Sequence, residues 1–348
     1  MRKFWIFNFC LILFFSCKKE DQNIDNKGLT IPFDTLSNSS SAVFIVNEGN
    51  FQWGNGSVSL YDVKAAAVEE DIFKKVNNRP LGDVVQSMDI YKGKGYLVVN
   101  NSQKIEVVDP LTFQSIGSIN GLTSPRYFKG ITSVKAYATD IWSNKISVID
   151  LISNSVIKQI PCKGWTEEML LYQEKCFVAN LYSEYLYVIN TINDVVEDSI
   201  KISYGSNSLR LDKYGKLWVL CSGDKDKGFL GGIHRIDPIS KQVELSLNFN
   251  TISDEPKNLR INPTADTLYF LNKGLYKMPI TNSILPFSSF IFEKSNFYGL
   301  GIDPKSGEIY VSDAIDFVQK GIVFRYSSSG ELKNSFKAGI IPGYFYFK

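Results

Sequence analysis

Lys135-Ala-Tyr-Ala-Thr-Asp-Ile-Trp-Ser-Asn-Lys-Ile-Ser-Val-Ile-Asp150 is the stretch whose reading decides the fold. Apolar residues alternate through Ala136 and Ala138, a short polar loop follows, and alternation resumes through Ile146 and Val148 before Asp150 closes the run. Period-two alternation on both sides of a polar loop describes two antiparallel strands joined by a hairpin. The pattern recurs in Tyr96-Leu-Val-Val-Asn-Asn-Ser-Gln-Lys-Ile-Glu-Val-Val-Asp109 and in Cys176-Phe-Val-Ala-Asn-Leu-Tyr-Ser-Glu-Tyr-Leu-Tyr-Val-Ile-Asn190. Internal repetition therefore organises the chain.

The residue closing each second run gives seven markers: Asp62, Asp109, Asp150, Asn190, Asp237, Pro279 and Ser327. Their successive spacings stay between 40 and 48 residues, the length of one four-stranded propeller blade. Seven markers predict an all-β, seven-bladed propeller. The second unit reads as strands Ser87–Tyr91, Tyr96–Val99, Ile105–Val108 and Gln114–Ile119, with short turns and no helix. The first strand of the later units begins near Tyr127, Met169, Leu209, Leu259 and Leu300. The first unit lacks such a strand, whereas Tyr344-Phe-Tyr-Phe-Lys348 is one strand too many after the seventh. The C-terminal strand is predicted to complete the first blade, which closes the ring and covers both edges. The sixth unit has a truncated turn at Leu271-Asn-Lys-Gly-Leu275, so its blade is predicted to stand low on one face.

The rest of the composition limits function. The chain is 44% hydrophobic and 14% aromatic with a formal charge of +2, enough apolar material for a large core. Without Arg2 and Lys3, basic and acidic side chains are equal in number, which argues against a nucleic-acid partner. Arg2-Lys3 and the apolar Phe4–Phe15 form a secretory signal at residues 1–16, too short to span a bilayer. Cys162, Cys176 and Cys221 have no metal-ligand spacing and read as small buried residues. The single histidine, His234, falls inside a strand, and no nucleophile motif, metal cluster or phosphate loop accompanies it. The reading is therefore non-enzymatic, with no catalytic residue, no metal and no cofactor. Asp224-Lys-Asp226 lacks the remaining ligands of a calcium loop and is assigned no site.

Two groups of residues are candidates for ligand binding. Loops between second and third strands carry Asn50, Asn100, Asp140 and Asn180, whose side chains also suit turn formation, beside the aromatics Phe51, Trp53, Trp142, Tyr182 and Phe317. Large apolar rings are not needed for turns, so they point to a binding face. The starts of the innermost strands, Gln86, Arg126, Glu167, Asn207, Asn258 and Tyr298, are predicted to ring the mouth of the central channel. Their mixed charge fits a neutral ligand that forms many hydrogen bonds, and a water-filled mouth is the alternative. The residues assigned to ligand are Asn50, Phe51, Trp53, Gln86, Asn100, Arg126, Asp140, Trp142, Asn180, Tyr182 and Asn207.

Several resemblances add to this reading. Phe14-Phe15-Ser16-Cys17 resembles the cleavage and acylation site of bacterial lipoproteins, which implies a lipid on Cys17. Lys19-Glu20-Asp21 resembles the surface-export signal of Bacteroidota lipoproteins. Residues 17–41 then form a polar tether of about 24 residues with a reach of roughly 25 to 30 Å. Ala138–Asp150 resembles the repeat of the YVTN, or YncE-like, seven-bladed propellers, a likeness that covers residues 42–348. Val46-Asn-Glu-Gly-Asn-Phe-Gln-Trp-Gly-Asn-Gly-Ser57 resembles the first-blade signature of a Bacteroidota propeller-lipoprotein group that includes cell-surface cobalamin-binding proteins. This implies an outer-membrane, lipid-anchored receptor facing the cell exterior, which captures a scarce nutrient such as a corrinoid. It would pass that nutrient to a TonB-dependent transporter, touching the membrane through its anchor alone. An envelope adhesion module and a propeller lyase or lactonase are the alternative readings.

Overall fold

Strands of a propeller blade are packed between two neighbouring sheets, so inner positions on both faces must be apolar. The second strand of the first blade, Ala42–Asn47, is accordingly buried at every residue. Outer strands meet solvent on one side, and Ser155–Pro161 buries only Ile160 fully. The computed structural model describes residues 40–292 and 296–348. The signal segment, Cys17, Lys19-Glu20-Asp21 and nearly all of the tether lie outside the described residues.

Seven antiparallel sheets form the ring of a propeller, all but one of them four-stranded. The innermost strands are Pro342–Phe347, Val85–Tyr91, Pro125–Thr132, Thr166–Tyr172, Ser206–Leu211, Lys257–Ile261 and Phe297–Ile302. Core clusters lie between adjacent sheets: Phe44 and Val58 of the first blade meet Leu97 and Val99 of the second. Tyr137 and Val148 of the third meet Cys176 and Val178 of the fourth.

The recurrent Asp or Asn has a local cause. Asp109 Oδ1 accepts hydrogen bonds from the backbone N–H of Leu111 and Thr112, and Asp237 Oδ1 from Ile239 and Ser240. Asp62, Asp150 and Asn190 cap their turns in the same way. The side chain replaces backbone acceptors that a tight turn leaves open.

Closure follows the sequence reading. Pro342–Phe347 pairs antiparallel with Ala42–Asn47, with Val43 opposite Phe347 and Val46 opposite Tyr344. Ser41 N–H donates to the Lys348 carbonyl, and Ser40 binds the Asp303 carboxylate through its N–H and its hydroxyl.

Two features depart from expectation. The sixth blade has three strands, ending with Leu275–Pro279. The segment that follows contains Pro286, and among its described residues it returns to the sheet at a bridge between Leu275 and Ile291. A short helix, Ile72–Asn77, links the first and second blades. Asp71 caps it by accepting from Lys74 N–H, and Ile72 and Phe73 are buried on its inner side.

Candidate functional site

All six residues expected at the starts of the inner strands line one cavity of about 460 Å³ at the mouth of the channel. Its floor is made by Tyr127, Glu168 and Tyr344, which also line a second cavity of about 220 Å³ on the far side. These three residues therefore stand between the two ends of the channel. Their ring contact is edge-on, with Tyr127 and Tyr344 centroids 6.4 Å apart.

Strand register places the polar groups around the wall of the mouth. Arg126 donates to Glu167 Oε1 through Nε at 2.9 Å and also donates to Gln86 Oε1. The Trp165 indole N–H donates to the same Glu167 oxygen, and the Arg126 guanidinium lies 5.5 Å from the Trp165 ring centroid. Glu48 accepts from the Tyr298 hydroxyl at 2.9 Å. Burial raises the pKa of both Glu48 and Glu167, although Arg126 opposes the shift in each. Lys257 lies over the Tyr298 ring, and burial lowers its pKa.

An aromatic ridge rises beside this wall. Trp142 and Trp165 have centroids 5.8 Å apart, and Trp165 meets Tyr182 edge-on at 5.4 Å. Trp142 is 63% exposed and Tyr182 51% exposed, whereas Trp165 is half-buried between them. Lys227 extends the ridge, lying 5.4 Å from the Tyr182 ring and donating to the Tyr204 hydroxyl at 2.7 Å.

The structure divides the residues assigned from sequence. Gln86, Arg126 and Asn207 line the cavity. Trp142 and Tyr182 belong to the ridge, Phe51 and Trp53 are exposed on the first-blade loop, and none of the four lines the cavity itself. Asn50 ties that loop to the seventh blade by donating to the Phe317 carbonyl at 2.6 Å. Asn100, Asp140 and Asn180 are buried, and their polar atoms serve the loops. Asn100 donates to the Pro125 carbonyl, while Asp140 accepts from Ser124, Trp142 and Ser143. Asn180 donates to the Lys163 carbonyl and accepts from Tyr182. Trp165, Glu48 and Lys257 were not singled out from the sequence. Asp224–Asp226, given no site there, lines the mouth.

Other reactive groups lie elsewhere. Cys162, Cys176 and Cys221 are buried and unpaired, and burial pushes the thiols of Cys162 and Cys176 up to about 12. Among the described residues no group of three or more His, Cys, Asp or Glu is arranged to hold a metal ion. His234 is buried in the fifth blade, away from the cavity. Its Nε2 accepts from Ser203 N–H at 3.0 Å, and Nδ1 lies 2.9 Å from the Ser246 hydroxyl, so the neutral ring carries its proton on Nδ1.

Burial lowers the His234 pKa from its ordinary 6.5 to about 4. Between those values the unfolded chain binds a proton that the native protein refuses, so native stability falls as pH drops from 6.5 to about 4. The loss is about 3 kcal/mol. Denaturant unfolding of the protein and of His234→Gln across this window is expected to show the variant losing less stability on acidification. Parallel slopes overturn the assignment.

Residues 41–347 match the family model described as domain of unknown function DUF5074. No curated protein sequence matches the chain. Among solved structures, the chain is similar to a quinoprotein alcohol dehydrogenase-like protein from Bacteroides thetaiotaomicron. That likeness has a TM-score of 0.70 at 17% identity and covers 89% of this chain and 78% of the other. A putative 6-phosphogluconolactonase from Bacteroides fragilis gives a TM-score of 0.66 at 12% identity, covering 90% of this chain and 100% of the other. The periplasmic gluconolactonase of Pseudomonas aeruginosa gives 0.66 at 12%, covering 88% of this chain and 99% of the other. At these identities the likeness is one of fold alone.

Proposed function

We propose that this chain, which belongs to the DUF5074 family, is a non-enzymatic binding protein of the cell envelope that seats a planar, hydrogen-bonding nutrient across the channel mouth. The observation that carries the reading is the Trp142–Trp165–Tyr182 ridge standing on the Arg126–Glu167 pair beside a cavity of about 460 Å³. Exposed rings held in place by a buried ion pair form a stacking surface, and the cavity falls in the size range of small-molecule sites. A corrinoid is the candidate ligand: its macrocycle lies on the ridge, and its amide side chains reach the polar wall. A lipid on Cys17, with export directed by Lys19-Glu20-Asp21, would hold the receptor on the outer membrane facing outward, where it hands the ligand to a TonB-dependent transporter.

The full chain with Cys17→Ala, expected to leave the membrane fraction, is the form for calorimetry. Cyanocobalamin should bind, and Trp142→Ala and Trp165→Ala should each weaken it at least tenfold, about 1.4 kcal/mol, at unchanged melting temperature. Trp53→Ala, which neither lines the cavity nor joins the ridge, should change affinity less than twofold. Absence of heat with cyanocobalamin rejects the corrinoid. Loss of a protein partner by the ridge variants, with no corrinoid heat, puts the adhesion reading in its place.

A second reading draws on Glu48 and Glu167, two carboxyls of raised pKa in one cavity beside Arg126. Carboxyls tuned upward suit acid–base chemistry on a lactone, and lactonases occur among the proteins of similar fold. Hydrolysis of gluconolactone no faster than in buffer removes that reading.

A further inference from the structure

The cations around the channel mouth are unequally committed. Arg126 is held by Glu167 and Gln86, and Lys225 pairs with Glu255 at 3.1 Å. Lys257 differs. Among the described residues no carboxylate lies within ion-pair distance of its ammonium and no acceptor hydrogen-bonds it. It rests 4.6 Å from the centroid of the Tyr298 ring, facing the cavity from the first position of the sixth blade's inner strand.

The acids are largely spoken for. Glu167 is paired with Arg126, Glu168 with Arg210 and Arg260, Glu255 with Lys225, and Asp224 with Lys227. Asp226 is exposed at the rim. Glu48 accepts the Tyr298 hydroxyl, and burial raises its pKa; Glu48 and Glu255 act on Lys257 through space without forming an ion pair with it. Lys257 thus presents an ammonium with no ion pair or hydrogen bond among the described residues.

We propose that Lys257 is the seat of an anionic group, a phosphate ester or a carboxylate, on the ligand bound at the channel mouth. The proposal rests on reading that mouth as the ligand site. An ammonium has three donors and no acceptor, and water serves it while the cavity is open. A ligand that fills the cavity displaces this water and must return acceptors in its place. An anion does so through charge-assisted hydrogen bonds, about twice as strong as neutral ones, whereas a neutral ligand leaves the ammonium desolvated. The Tyr298 ring beneath it holds the charge at the wall.

The full chain with Cys17→Ala, its lysines dimethylated with carbon-13, allows the Lys257 resonance to be read directly and assigned by its loss in Lys257→Arg. Phenyl phosphate or benzoate should shift this resonance saturably, and neutral benzamide should not. The anion that binds at least tenfold more tightly identifies the source. No saturable shift with either anion, or an equal shift with benzamide, overturns the proposal. In a second arm, cyanocobalamin, which carries a phosphodiester, is compared with dicyanocobinamide, which has the same ring without it. The unmodified protein should prefer cyanocobalamin at least tenfold, Lys257→Met should lose the preference, and Lys257→Arg should keep it. If neither corrinoid binds while the anions still shift Lys257, the corrinoid falls and the anion seat stands. If both corrinoids bind equally before and after Lys257→Met, the anion seat falls and the corrinoid stands.

Discussion

Deleting Gly343–Lys348 is expected to abolish the cooperative thermal transition of the whole ring. The deleted strand is the innermost of the first blade, and among the described residues it pairs with Ala42–Asn47 alone. Phe345 is buried against Tyr310, Phe347 meets the same ring at 5.3 Å, and Tyr344 packs against Tyr127. A large side chain buried in full contributes about 1.5 to 3 kcal/mol; Phe345 is buried and Tyr344 and Phe347 are partly so, and with the lost ladder the three are worth about 5 kcal/mol. Native stability is typically about 5 to 15 kcal/mol, so the loss is comparable to the whole. The deletion also exposes the edge and apolar face of Val43 and Ile45 to the channel. Circular dichroism melts of the intact and shortened chains provide the measurement. A melting temperature within about 2 °C of the intact protein would sink the claim that closure holds the ring.

The fold was legible because the first five blades repeat two local signals and the last two keep the first of them. Alternation marks the second and third strands, and an Asp or Asn such as Asp109 or Asp237 marks the turn that its own side chain builds. The odd strand at Tyr344–Phe347 was legible by the same count. That the sixth blade has three strands among the described residues was not, because the spacing of markers is unaffected by what lies between Pro279 and Phe297. At the site, the polar ring was legible from strand position: a residue opening an inner strand must reach the channel, and Gln86, Arg126 and Asn207 do. The Asn and Asp residues of the loops carried an ambiguity that only geometry removes, and Asn100, Asp140 and Asn180 prove to be loop braces. Trp165 sits in a connection between blades, where nothing in its own neighbourhood announces Trp142 and Tyr182, which belong to loops on either side. Lys257 is conspicuous only once its neighbours' ion pairs are known.

Replacing Glu168 by Gln is expected to lower stability by about 3 to 5 kcal/mol. Glu168 is buried in the floor of the cavity, where Oε2 accepts from Arg210 at 2.7 Å and Oε1 from Arg260 at 3.0 Å. Burial by itself raises the carboxyl's pKa, but the two guanidinium groups outweigh it and hold the group below its ordinary 4.5. A depressed carboxyl contributes stability that is complete above 4.5 and is lost as pH falls through the lower native value. Gln keeps the shape and one acceptor while removing the charge, leaving Arg210 and Arg260 enclosed together without compensation. Their mutual repulsion already contributes, after burial, to the lowered pKa of Arg260. Arg260 also donates to the carbonyls of Leu300 and Leu259, which hold it in place at the floor. Denaturant unfolding of Glu168→Gln, Arg260→Met and the double variant separates charge from packing. If the charge dominates, Arg260→Met costs less in the Glu168→Gln background than in the unmodified protein, because it removes a cation that has lost its partner. Additive costs, or a Glu168→Gln loss under about 1 kcal/mol, would mean that water reaches the floor and that the two cavities are one open channel.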